Sequence, residues 1–412
     1  MRVLYGIAIF LGAFLLFAVE PMAAKRLLPA LGGSSAVWIT CLVFFQTLLL
    51  LGYIYAHALT RSIAARWPAV LHVVLLGLAV LLLVLVPLPD LSTASTHPVT
   101  AIFCALSVSI GLPFLLLAST SPLLQVWMAR RQTGSIPWRL FALSNTGSLL
   151  ALLAYPSLIE PQLSLHAQRI VWRSAFAVYA VICMTIAARN RQATPVQDAQ
   201  PDAEPAPSSS FRLRLLWFVL PAVAAMQLCS VTEYLTQNVA AIPLLWVIPL
   251  AVYLVSFIVA FELPGVYRRT MVVRLLIVLL GAIAYMLRKA DFGLPLVPAL
   301  GLFIAELFVS CYFCHAEAYR LRPASRSQAT LFYLFLAGGG AFGGIFTGIA
   351  CPVLFQGNYD LGLSFLATAI AIPLTWPKRE GKPQRLLWFG ITAGMIAAVA
   401  MMHVAYARDT VL

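Results

Sequence analysis

Residues 311–315 read Cys-Tyr-Phe-Cys-His, the C-x-x-C-H spacing through which c-type haem is attached. Five residues upstream, Glu306 stands in the middle of the apolar run GLFIAELFVS. A carboxylate at membrane depth is costly unless it is protonated, paired or facing water, so Glu306 reads first as a functional group. Glu20 and Glu233 close two other apolar runs, and Lys25 follows Glu20 closely enough to be its expected partner. Gln46, Asn145 and Gln237 put amides inside or beside apolar segments, where hydrogen bonds between helices are their commoner use. Trp38 and Trp246 could flank a cation with their ring faces. His315 and Glu317 form a candidate polar pair just beyond the cysteines.

The elements that would carry these groups follow from composition. The chain has 412 residues, 62% hydrophobic and only 10% charged, with a mean hydropathy of +0.92. A soluble domain carries roughly 25% charged residues, and a spanning helix needs about 20 apolar ones. About thirteen suitable runs occur: 3–19, 36–58, 69–88, 99–118, 140–159, 170–188, 213–231, 241–261, 271–287, 295–315, 329–352, 361–376 and 386–406. The chain therefore reads as an all-α polytopic membrane protein, with 12–14 spans. No small-residue cleavage site follows the first run, which reads as a retained helix rather than a signal peptide.

The net charge of +13 could suggest nucleic acid, but its distribution argues for a bilayer. With the N-terminus in the cytoplasm, loops after even-numbered spans collect Arg61, Arg66, Arg130, Arg131, Arg189, Arg191, Arg268, Arg269, Arg320 and Arg322, as positive-inside orientation requires. Lys25 with Arg26, and Arg288 with Lys289, are the exceptions. The expected location is a bacterial inner membrane, and the lipid bilayer is the expected partner.

Two halves are expected, 1–188 and 212–412, the second with six repeat helices and one extra. They are joined by 189–211, RNRQATPVQDAQPDAEPAPSSSF, a flexible cytoplasmic linker poor in anything to bury. Glu20 aligns with Glu233, Trp38 with Trp246, and Gly147 of SNTGSLLALLAYPSLIEP with Gly338 of LFLAGGGAFGGIFTGIACP. An even number of spans separates the copies, so the repeat is parallel, as in major-facilitator transporters. A cleft between such halves would hold a solute. EPMAAKRLLPALGG is expected to fold back as a short helix at the outer surface, and SPLLQVWMARR (121–131) to lie as an interfacial helix.

Haem does not fit. Attachment needs an accessible loop on the outer side, whereas Cys311 and Cys314 fall in a helix whose following arginines face the cytoplasm. The seven cysteines all lie in or at the ends of apolar runs, where small buried hydrophobes are expected. The six histidines are scattered without metal-ligand spacing, and the glycines at 338–340, 343 and 344 are for helix packing, not phosphate binding. No cofactor and no metal site is expected.

FAVEPMAAKRLLPALGGSSAVWITCLVFFQTLLLLGYIYAH, SNTGSLLALLAYPSLIEP, TEYLTQNVAAIPLLWVIPLAVYL and CHAEAYRLRP followed by LFYLFLAGGGAFGGIF resemble the membrane half of bacterial fused spermidine-synthase-like proteins. The resemblance implies a major-facilitator-like module that handles a small, cationic, polyamine-like solute. It also implies a soluble aminopropyltransferase-like domain, which would begin about where this chain reaches AYARDTVL, so synthase activity is not expected of this chain alone. Two other readings stay open: an anchor for a separately encoded synthase-like partner, and a membrane-embedded enzyme with Glu20 and Lys25 as acid and base.

Overall fold

The computed structural model describes residues 2–31, 35–61, 67–87, 98–131, 137–191, 210–238, 246–288, 296–323, 328–355 and 359–376. Among them no strand occurs, and the helices make twelve passages. These are α1 (Arg2–Leu31), α2 (Ser35–Arg61), α3 (Trp67–Leu85), α4 (Pro98–Leu106) with α5 (Leu112–Arg131), α6 (Arg139–Ala154) with α7 (Glu160–Gln162), and α8 (Leu165–Arg191). Then come α9 (Phe211–Asn238), α10 (Val247–Glu262), α11 (Arg269–Arg288), α12 (Leu296–Arg320), α13 (Ala329–Ile345) with α14 (Cys351–Leu354), and α15 (Asp360–Leu374). Nine of the described helical passages are long and apolar enough to cross a bilayer by length and composition. The chain is a multi-pass helical membrane protein. The expected linker and the expected run at 386–406 lie outside the described residues, apart from the linker's ends.

Two expectations about helix ends are corrected. The first helix does not stop near Glu20 and fold back: α1 continues to Leu31 with Pro21 and Pro29 inside it. Neighbouring helices and local adjustments re-satisfy the backbone that a proline frees in a membrane helix. Nor do residues 121–131 form a separate interfacial helix. They complete α5 through Pro122, and Ser121 to Ala129 are all buried. An interfacial helix would expose one face along its length.

The chain divides into two compact units, residues 1–209 with 322–337, and residues 210–321 with 338–412. Within each, small residues let backbones meet, the expected device where lipid removes the hydrophobic drive between helices. In the first unit, a Cβ added to Gly147 of α6 would lie 2.6 Å from the Phe10 carbonyl oxygen of α1. In the second, a Cβ on Gly339 or Gly343 of α13 would lie 2.1 Å or 2.2 Å from the carbonyl oxygens of Phe218 and Ala222 of α9. The alignment of Gly147 with Gly338 carries Tyr155 onto Phe346, and these residues begin matching π-helical turns, Tyr155–Ile159 and Phe346–Ala350. The internal repeat is thus visible in backbone irregularity as well as in sequence.

Indole donors tie each unit to a backbone carbonyl. Trp172 Nε1 of α8 donates to Leu15 O of α1 at 2.9 Å. Trp217 Nε1 of α9 donates to Leu321 O at 2.7 Å, just past the end of α12.

Candidate functional site

Helix α12 carries four buried polar groups, Glu306, Ser310, His315 and Glu317, two of them carboxylates. It is 25 residues long, with Arg320 in its last turn, where the charge complements the helix dipole, and Pro323 soon after to prevent continuation. Glu306, Ser310 and Glu317 follow spacings of four and seven residues, so they share one face of the helix with Phe313 between them. Glu306 is fully buried, and one of its carboxylate oxygens accepts a hydrogen bond from Ser310 Oγ. The other oxygen has no hydrogen-bond partner among the described residues.

Glu317 on the same stripe is fully engaged. Its Oε1 accepts from Tyr267 Oη at 2.7 Å, Arg269 Nη1 at 3.0 Å and Arg320 Nη1 at 2.8 Å. Burial, then the adjacent Glu317 carboxylate, hold the Tyr267 phenol well above its usual range, so it remains a donor. Arg269 also donates to the carbonyl of Ile372 at 3.0 Å, and its guanidinium lies 5.7 Å from the Phe313 ring centre and 5.3 Å from that of Trp376. Guanidinium faces suit such flat stacking as well as forked donation.

His315 points elsewhere. Its Nδ1 is 2.9 Å from Ser256 Oγ of α10, and its ring stacks on Phe257 with centres 3.4 Å apart. Ser256 Oγ donates to Tyr253 O at 2.7 Å, so the serine oxygen accepts from His315 and the ring proton sits on Nδ1. Nε2 is then a buried acceptor with no partner among the described residues. The expected His315–Glu317 pair is therefore not formed. Two residues along a helix turn about 200°, so one side chain faces α10 while the other meets Arg269 at the start of α11. The cysteines of CYFCH, also at 0% exposure, lie within α12 and not in a loop.

The remaining candidates fall in two groups. Glu20, Lys25, Trp38, Gln46 and Asn145 belong to the first unit; Glu233, Gln237, Trp246, Glu306, His315 and Glu317 belong to the second. Glu20 and Gln46 are half-buried on α1 and α2. Lys25 does not pair with Glu20: it forms an ion pair with Glu160 at the start of α7. Five residues of continuous helix turn Lys25 about 140° away from Glu20, which a folded-back segment would not have done. Asn145 Nδ2 donates to Phe141 O of its own helix at 2.9 Å, not to a neighbouring helix. Glu233 is half-buried on α9, and Trp246 is 41% exposed before α10. The side chains of Trp38 and Gln237 lie outside the described residues.

Two groups of residues were not singled out as sites by the sequence. Gln227 and Ser230 of α9 interlock with Ser364 and Thr368 of α15: Gln227 Nε2 donates to Thr368 Oγ1 at 2.7 Å, and Ser230 Oγ to Ser364 Oγ at 2.8 Å. In the first unit, Arg26, Arg169 and Arg173 converge on a cavity of about 210 Å³. Its signal was present in the sequence, since His166, Arg169 and Arg173 recur at helical spacing on α8.

No family model matches the chain, and no curated protein matches it. Solved structures do. The chain is similar to FucP, a Major Facilitator Superfamily transporter in the outward conformation, at 13% identity and a TM-score of 0.50, covering 90% of this chain and 97% of that one. It is similar to a double-tryptophan mutant of XylE at 14% identity and 0.54, covering 93% and 98%. It is similar to a mutant of the nucleoside transporter NupG at 14% identity and 0.52, covering 96% and 99%. The resemblance to spermidine-synthase-like modules finds no support in these comparisons. What they show is the architecture: the chain has the two-half helical fold of the Major Facilitator Superfamily.

Proposed function

We propose that the chain is a secondary transporter of a small, positively charged solute, with Glu306 as the group whose charge the solute or a proton compensates. The observation that carries this reading is the buried Glu306 carboxylate, with one oxygen held by Ser310 and the other without a partner. Such a group at membrane depth is stable when protonated, and ionised only beside a positive charge. Glu317 differs in having Arg269 and Arg320 beside it, which marks it as a structural anion. The fold supports transport, since this architecture works by alternating access around a solute site. Glu20 and Glu233 are the further candidate carboxylates. The polyamine-like chemistry rests on the sequence resemblance and sets the first solutes to try.

The test is uptake of radiolabelled putrescine and spermidine into liposomes containing the purified protein, with and without an imposed pH gradient. Wild type should accumulate at least one of them above empty liposomes. Glu306→Gln, with an unchanged melting temperature, should lose accumulation. Absence of uptake of both, or equal uptake by the variant, overturns the reading.

A further inference from the structure

Helix α12 sets a carboxylate beside a phenyl ring twice. Towards its C-terminal end the pair is Phe313 with Glu317, one turn apart, and a cation joins it. Arg269 Nη1 lies 3.0 Å from Glu317 Oε1, and its guanidinium carbon lies 5.7 Å from the Phe313 ring centre. Nearer the middle of the helix the pair is Phe303 with Glu306, again one turn apart and therefore neighbours on the helix surface. All four residues are buried. Tyr234 of α9 packs against the Phe303 ring with centres 4.6 Å apart, which holds that ring in place. No Lys or Arg side chain joins this second pair among the described residues. Glu306 Oε1 accepts from Ser310 Oγ, Oε2 has no hydrogen-bond partner, and neither oxygen is in an ion pair.

The second pair sets three demands on a cation that would join it. Oε2 needs a donor, so a quaternary ammonium, which has no N–H, would leave a buried acceptor unsatisfied. The surroundings are dry, so the cation must part with its water cheaply. A primary ammonium is a compact, strongly hydrated charge, whereas a guanidinium is flat, delocalised and more weakly hydrated. The neighbouring ring offers a face, and guanidinium groups stack on aromatic faces while still donating in their own plane. The first pair shows the same helix meeting all three demands with the guanidinium of Arg269.

We propose that the solute group bound at Glu306 is a guanidinium, donating to Oε2 and lying against the Phe303 ring as Arg269 lies against Phe313. The assignment rests on the transport reading at Glu306 and narrows its solute from small cations in general to those that carry a guanidinium. Glu306 supplies the charge and the acceptor, and Phe303 supplies the preference for a flat cation over a compact one.

The experiment compares matched solutes that differ only in the cationic group. Butylguanidine and butylamine each carry one charge on a four-carbon chain. Agmatine and putrescine each carry two, and agmatine has a guanidinium where putrescine has its second ammonium. Each is titrated calorimetrically into the purified full chain in a neutral detergent. Wild type should bind the guanidinium member of each pair about tenfold or more tightly than the ammonium member. Glu306→Gln should weaken binding of all four. Phe303→Leu keeps an apolar side chain but removes the ring face, and should bring the affinity ratio within each pair towards one. That ratio compares two ligands on one protein, so a general loosening of the fold does not move it. A ratio near one in wild type, or an unchanged ratio in Phe303→Leu, overturns the proposal and leaves the transport reading standing. Undiminished binding by Glu306→Gln at the wild-type melting temperature, or no binding of any of the four, overturns both.

Discussion

The two units share a packing device and differ in where they keep polar groups. Both press glycines onto facing backbone, Gly147 in the first and Gly339 and Gly343 in the second. Among the described residues, the first unit leaves no buried side-chain polar atom without a hydrogen bond, while the second leaves Glu306 Oε2, Tyr312 Oη, His315 Nε2 and Thr347 Oγ1. The first unit gathers Arg26, Arg169 and Arg173 around a cavity. The second draws carboxylates into the packing itself, at 0% exposure for Glu306 and 1% for Glu317. One repeated architecture thus supports two electrostatic regimes. Buried groups without partners are costly, and they persist where a function uses them.

The largest effect expected from this contrast concerns ion pairs. Glu317→Ala strands Arg269, whose side chain is only 11% exposed, and removes the acceptor of Tyr267. Breaking a buried pair costs about 3–5 kcal/mol, so a large fall in thermal midpoint in detergent is expected. Glu160→Ala breaks the Lys25 pair, where the side chains are 39% and 35% exposed. That change should cost about 0–1 kcal/mol. Equal losses would mean that the two units do not differ in how they use charge.

The next effect tests the shared device. Gly339→Ala places a methyl 2.1 Å from the Phe218 carbonyl oxygen, and Gly147→Ala places one 2.6 Å from that of Phe10. Overpacking of this kind costs about 1–3 kcal/mol, with Gly339 the more sensitive because its gap is smaller. Gly340→Ala meets nothing within 4 Å and should be silent or slightly stabilising through helix propensity. Melting curves of the three variants give the order directly.

Hydropathy made the twelve described passages legible, because a bilayer demands long apolar runs whatever the packing. The repeat was legible to within a residue: Gly338 was aligned, and Gly339 makes the contact. Helix ends were less so. The expected runs 3–19 and 99–118 stop short of Pro21 and Pro122, yet α1 and α5 run through them, since neighbouring helices relieve the freed backbone in a way local sequence does not encode. Glu306 stood out as a lone carboxylate in an apolar run. The partners of Lys25 and Glu317 did not, because Glu160 and Arg269 are far away in sequence and meet them only in the fold. Of the arginine cavity, the α8 side was legible in the spacing of His166, Arg169 and Arg173, but Arg26 is separated from them by several passages and meets them only in the fold.

The smallest expected effect asks whether hydrogen bonds distinguish the units once charge and packing are set aside. Gln227→Leu removes the donor to Thr368 Oγ1 at 2.7 Å and to Ser364 O at 3.2 Å in the second unit. Tyr333→Phe removes the donor to Gln125 Oε1 at 2.6 Å in the first, where Gln125 keeps its own bond to Ser121 at 3.0 Å. Polar contacts between membrane helices average about 0.6 kcal/mol and rarely exceed about 1.7, because the unfolded chain also finds partners in the bilayer. Gln227→Leu should therefore cost more than Tyr333→Phe, and both less than Gly339→Ala. Should Gln227→Leu prove the costliest of the three, the second unit would be held by its polar lattice more than by backbone contact. The partnerless atoms of α12 would then sit beside the element that holds the unit together, and a change at Glu306 would have to be separated from loss of fold before any effect on uptake could be assigned to it.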